Sequence, residues 1–248
     1  MLDRSQIIAI AKMRRLSPWQ EEKRYVQALI LYSLNTFPIV AKGGTYLWYF
    51  HGLNRFSEDL DYTAEGKITE EIAQEVNRTL ELFGVHNELK IMKDDRFTFS
   101  FRIGAQAPLY RTEKDTCYVY VEIGRRERVL TEAISLTLDE PFYGIPMIYL
   151  KGMNLKEVLS EKLRAIMVRG NARDLYDTWF LVVKKMVTPD KGLINKKLAF
   201  YGRSFDKSHF QARVEQIGKY WQKELKPIII GALPKFEDVK EDVINFIQ

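Results

Sequence analysis

Between Lys42 and Asp61 the chain reads KGGTYLWYFHGLNRFSEDLD, a glycine pair opening an apolar stretch that ends on alternating Ser57, Asp59 and Asp61. These residue types at this spacing suit nucleotide chemistry. Backbone N–H groups at Gly43, Gly44 and Thr45 can point at phosphate oxygens, because two glycines put no side chain in the way. Residues 45–51 read as a short helix whose positive end would face the same anion. Asp59 and Asp61 lie two apart in an expected strand, SEDLDYT, which places both carboxylates on one face. Oxygen ligands held that close suit a hard cation such as Mg²⁺, which completes its shell with water and substrate phosphates. Ser57 would share the face and offer a hydroxyl to phosphate, and Arg55 could contact a triphosphate. Leu60 and Tyr62 point the other way, toward a core.

Neither feature is diagnostic alone. A glycine pair after an apolar run is often only a turn, and Asp-x-Asp recurs in surface loops. The ordered set is far rarer: strand (PIVAK), glycine turn, helix, polar loop, acid-bearing strand. Two metals that hold attacking and leaving oxygens need more than two carboxylates. Glu122, the one acid in the apolar strand CYVYVEIG, is the candidate third, against the alternative of a solvent-facing glutamate.

The segment resembles the first motif of nucleotidyltransferases of the DNA polymerase β superfamily. Within it, GGT followed by RFSEDLDY is similar to the AbiEii/AbiGii toxin family of toxin–antitoxin systems. EKLRAIMVRGNARDLYDTWFL, residues 161–181, resembles that family's downstream helical motif, a lysine followed by Arg-Asp-x-x-Asp. The resemblance implies an α+β fold in two parts. Residues 1–150 would form a polymerase-β-like nucleotidyltransferase domain with a mixed sheet and N-terminal helices. Residues 151–248 would form an all-helical domain completing the active-site cleft.

The same resemblance implies roles. A third acid on a later strand supports Glu122 beside Asp59 and Asp61 as a metal ligand. Lys162 would join Gly43, Gly44, Thr45, Arg55 and Ser57 in holding the triphosphate. Asp174, next to Arg173, would orient Lys162 or position the acceptor, and Asp177 would hold the helix pair together through an arginine. The implied activity is Mg²⁺-dependent transfer of a nucleoside monophosphate from an NTP to RNA, specifically tRNA, with release of pyrophosphate. The chain would act as the toxin of a pair, with a cognate antitoxin as partner. Two alternatives stand beside it: a nucleotidyltransferase with a small-molecule, antibiotic-type acceptor, and a non-catalytic nucleotide- or RNA-binding protein on the same fold.

The elements that must position these residues follow from periodicity. Residues 7–13 and 19–34 have helical apolar spacing, the second opening with Ser17 and Pro18. A helix is expected over 68–83, stopped by Gly84. LKIMK, RFTFSFRIG, TCYVYVEIG, AISLTL and IPMIYLKG read as strands. Beyond Leu155 the pattern is helical over 155–168, 172–185, 190–200, 209–225 and 237–246.

Composition sets the outer bounds. The 248 residues are 46% apolar and 29% charged, enough for a sizeable core. The net charge of +5 permits a polyanionic partner. Residues 151–200 hold eleven Lys or Arg against five Asp or Glu, which favours a nucleic-acid acceptor over a small one. Three scattered histidines and a single cysteine, Cys117, exclude a zinc cluster and an intrachain disulfide, and Cys117 reads as a small buried residue. With no secretory signal and no membrane-spanning run, a cytosolic protein is expected.

Overall fold

A computed structural model describes residues 2–247. The fold is α+β, and the chain divides into two compact units. The first comprises Met1–Gly52, Phe56–Val129 and Ala133–Gly152; the second comprises Leu53–Arg55, Leu130–Glu132 and Met153–Gln248. A single cut near residue 150 does not anticipate the two three-residue segments that belong to the second unit.

The first unit is built on seven strands: β1 (Ile39–Lys42), β2 (Leu60–Ala64), β3 (Asn87–Asp94), β4 (Thr98–Ala105), β5 (Cys117–Gly124), β6 (Ile134–Leu138) and β7 (Ile148–Gly152). They form one sheet in the order β3-β4-β5-β2-β1-β7-β6. β2 runs parallel to β5 and β1 parallel to β7, while the other neighbours are antiparallel. The sheet is therefore mixed. β5 shows why it forms: Cys117, Val119, Val121 and Ile123 are buried while Tyr118, Tyr120 and Glu122 are exposed, the period of a half-buried strand. Cys117 sits in that apolar row, and burial pushes its thiol up to about 12.

Four helices flank the strands: α1 (Arg4–Arg14), α2 (Pro18–Leu34), α3 (Gly43–His51) and α4 (Glu71–Leu82). Pro18 occupies the first position of α2, where its missing N–H costs nothing, and the Ser17 N–H is taken by the Gln20 side chain at 2.9 Å. α2 buries Val26, Leu29, Ile30 and Leu34, each side chain contributing about 1.5–3 kcal/mol. α4 ends as Gly84 turns into the left-handed region at φ 75°.

The second unit is helical: α5 (Leu155–Val168), α6 (Ala172–Trp179), α7 (Lys191–Ala199), α8 (Lys207–Ile217), α9 (Trp221–Leu225) and α10 (Phe236–Phe246). Two expected helices are interrupted. α6 widens into a π turn at Phe180–Lys184, and 3-10 residues Gly218–Tyr220 separate α8 from α9. Leu159, Leu163, Leu175, Tyr176, Leu198, Val214 and Trp221 form its core. Asn54 ties the first short segment in, its carbonyl accepting from the Ile230 N–H at 2.8 Å. Glu157 ties in the second, accepting from the N–H groups of Leu130 and Thr131.

Lys197 is fully buried between Glu157 and Glu161, at 2.7 and 2.9 Å. Removing one partner of a buried pair leaves charge uncompensated, so Lys197→Met is expected to cost about 3–5 kcal/mol in urea unfolding. A loss below about 1 kcal/mol would show that the two glutamates relax into water.

Candidate active site

The register of three strands assembles one row of polar side chains. Lys42 on β1 opposes Asp61 on β2, Asp61 opposes Glu122 on β5, and Glu122 opposes Ser100 on β4. Cross-strand partners share a face, so the Asp61 and Glu122 carboxylates stand side by side. Asp61 is half-buried. Glu122 is exposed and forms no hydrogen bond or ion pair with any described residue, which leaves its full ligand capacity available. Lys42 was missed as a member of this row; its place directly before the glycine pair was the available signal.

Gly43 joins the phosphate-cradle sequence to that row. It begins α3 with φ +78°, and a Cβ built there would fall on Asp61 Oδ2, well inside contact distance. Only glycine allows the helix start and the carboxylate to come so close. The first turn of α3 leaves the N–H groups of Gly43, Gly44 and Thr45 without intrahelical acceptors, and the helix dipole adds positive potential there. Gly43→Ala is expected to displace Asp61. Nucleotidyl transfer should fall by about tenfold or more, while the backbone strain should cost only about 1–2 kcal/mol in a thermal melt.

The structure corrects the expected start of the second strand. β2 opens at Leu60, so Ser57 and Asp59 lie in the loop before it rather than in strand alternation with Asp61. The reason is local. Gln27 Nε2 donates to the carbonyls of Ser57 and Glu58 at 3.0 and 2.8 Å, and Thr45 Oγ1 donates to the carbonyl of Asp59. Side chains therefore satisfy backbone groups that a strand would pair. The buried Thr45 hydroxyl thus fastens α3 to the acid-bearing loop. Lys23 pairs with Glu58 at 2.5 Å and holds the same loop from α2.

Among the described residues no three His, Cys, Asp or Glu side chains converge into a metal-binding group. The strands supply a carboxylate pair, Asp61 and Glu122, with Asp59 in the adjoining loop. All three offer hard oxygen donors, and a pair fits a cation that keeps water and substrate phosphates as its remaining ligands.

Arg55, Lys162, Asp174 and Asp177 come together in the second unit. Arg55 is 3% exposed and forks onto Asp177 at 2.6 and 2.7 Å. Arg55, expected as a triphosphate contact, thus lies in a buried bidentate ion pair; it stands outside the two helices, so the arginine on Asp177 is not one that joins the helix pair. Lys162 Nζ lies 2.7 Å from Asp177 and 3.2 Å from Asp174. Arg169, absent from the expected set, donates to both Asp174 oxygens at 2.8 and 3.0 Å. Three cations around two buried carboxylates leave the cluster with a net positive charge.

Burial alone would raise the Asp174 carboxyl, but Lys162 and Arg169 outweigh it and bring it down to about 2. Burial would likewise raise Asp177 and lower Lys162, and in each the opposite charges reverse the shift. For Asp174 the unfolded value is 3.8, so the unfolded chain binds its proton first as pH falls. The resulting stability, on the order of 2 kcal/mol, is complete above pH 4 and lost as pH drops toward 2.

Residues 36–242 match the model of a family described as the nucleotidyl transferase AbiEii toxin of type IV toxin–antitoxin systems. Among curated proteins none matches the sequence significantly. Solved structures share the fold at low identity. JHP933 from Helicobacter pylori superposes with a TM-score of 0.66 at 20% identity, covering 94% of this chain and 91% of that one. MenT4, a nucleotidyltransferase toxin from Mycobacterium tuberculosis H37Rv, superposes with a TM-score of 0.67 at 21% identity, covering 100% of this chain and 89% of that one.

Proposed function

The chain belongs to the AbiEii nucleotidyltransferase toxin family, and from that premise we propose that it transfers a nucleoside monophosphate from an NTP to tRNA and depends on Mg²⁺. The observation that carries this reading is the register pairing of Asp61 with Glu122 beside the glycine-opened start of α3. An NTP would lay its phosphates on the N–H groups of Gly43, Gly44 and Thr45, with Ser57 and Asp59 in the loop alongside. Mg²⁺ held by the Asp61–Glu122 pair, with Asp59 on the adjoining loop as the third acid of the set, would neutralise charge on the departing pyrophosphate. The acceptor hydroxyl oxygen forms the new bond to the α-phosphorus as the bond to the β-phosphate oxygen breaks. Pyrophosphate leaves with that electron pair, and the hydroxyl proton passes to a carboxylate of the pair.

Lys162 and Asp174 enter the proposal through the family's helical motif. Asp174 orients Lys162, and an NTP phosphate would compete with Asp174 and Asp177 for its ammonium. A cognate antitoxin is the implied partner. No helix among the described residues is long and apolar enough to cross a membrane.

The test is incubation of the purified protein with Mg²⁺, total tRNA and each NTP in turn, radiolabelled at the α-phosphate. Label on tRNA with one preferred NTP is the expected result. NTP consumption with label only on an added aminoglycoside-type acceptor would replace tRNA with a small molecule. NTP binding without turnover on any acceptor would leave a binding protein.

A further inference from the structure

The row that aligns Asp61 with Glu122 belongs to a larger open sheet face. On β5, Tyr118, Tyr120 and Glu122 share that face, alternating with the buried row that faces the core. β4 places Gly104, Arg102 and Ser100 opposite them, and β3 places Lys90 opposite Arg102. Tyr118 is 39% and Tyr120 43% exposed, and Lys90 is exposed as well. Large aromatics left in water on a sheet need a reason.

The local chemistry supplies one. Gly104 lets the Tyr118 ring lie against the β4 backbone, since a Cβ there would stand 3.0 Å from the ring. The Arg102 guanidinium lies over the same ring, 4.5 Å from its centroid. Arg102 Nε is buried without a hydrogen-bond partner, and neither Arg102 nor Lys90 forms an ion pair with a described residue. Two cations without counter-ions, in register with each other, thus lie beside two exposed tyrosines and lead to the carboxylate pair. Aromatic faces stack on unpaired bases, which a duplex hides, and cations follow the backbone phosphates.

We propose that this face binds the single-stranded end of the RNA acceptor. Bases stack on Tyr118 and Tyr120, phosphates meet Lys90 and Arg102, and the strand's terminal hydroxyl lies toward Glu122 and Asp61. The proposal rests on the nucleotidyltransferase reading given above.

The experiment measures anisotropy of a labelled single-stranded RNA of about 10 nucleotides binding to the full chain, against the same RNA as a blunt duplex. The variants are Tyr120→Ala, Arg102→Ala and Lys90→Glu, with Mg²⁺·ATP and Mg²⁺·GTP stabilisation against heat measured in parallel. Single-stranded RNA is expected to bind more tightly than duplex. Tyr120→Ala should weaken it by about tenfold or more, with NTP stabilisation unchanged. Lys90→Glu should weaken binding and flatten its salt dependence. Unchanged RNA affinity in all three variants would overturn the proposal, as would equal affinity for duplex. Failure of NTP to stabilise the wild type, with RNA binding intact and variant-sensitive, would sink the nucleotidyltransferase reading and leave the RNA surface standing.

Discussion

Replacing Asp61 with alanine should reduce nucleotidyl transfer by on the order of 10³-fold or more, with the fold retained. Asp61 is the one acid that touches both halves of the candidate site. It pairs in register with Glu122 on one side, and its carboxylate lies against Gly43 at the start of α3 on the other. Its loss would remove a cation ligand and open the spacing between cation and phosphate cradle together. The position is half-buried at the front of a central strand, so alanine costs little packing there. Transfer and thermal stability should therefore separate: activity lost, midpoint nearly unchanged. Substantial activity in a folded Asp61→Ala protein would count heavily against the assigned site.

The second large effect is on stability. Asp177 is completely buried and accepts from both Arg55 and Lys162. Asp177→Ala removes the carboxylate facing two buried cations, a change that costs about 3–5 kcal/mol when one partner of a buried pair is deleted. For a protein of this size that corresponds to a drop in melting temperature of roughly 10 °C. Asp177→Asn keeps the shape and one acceptor, so it should cost less. A melting temperature within a degree or two of wild type would mean that water already reaches the cluster.

These two residues also mark what the sequence could and could not convey. Asp61 was legible because its neighbours are local: the glycine pair, the short helix and the alternating acids all lie within twenty residues. Glu122 stood out as the one acid in the apolar run CYVYVEIG, while its place on the exposed face is given only by the structure. The Arg55 ion pair was not legible because its partner lies 122 residues away, and no local pattern announces an ion pair at that separation. Ser57 and Asp59 were placed in a strand because their alternation is a strand's. What prevents the strand is the side-chain amide of Gln27, thirty residues earlier on α2, which takes the carbonyls a neighbouring strand would need. The π turn after Trp179 was equally hidden, since FLVVK has the apolar spacing of an ordinary helix.

The same contrast explains the two short segments of the second unit. Asn54 and Arg55 stand three and two residues before Ser57 in sequence, yet their bonds go to Tyr176, Asp177 and Ile230. Linear reading assigns such residues to the element that follows them. Tertiary hydrogen bonds and a buried ion pair decide otherwise.

The most direct measurement is a crystal structure with Mn²⁺ in place of Mg²⁺ and an NTP analogue that cannot transfer its α-phosphoryl group, read by anomalous scattering. The account predicts a manganese peak bonded to the carboxylates of Asp61 and Glu122, with the analogue's phosphates on the N–H groups of Gly43 and Gly44. An ordered analogue whose metal lies away from both carboxylates would contradict it.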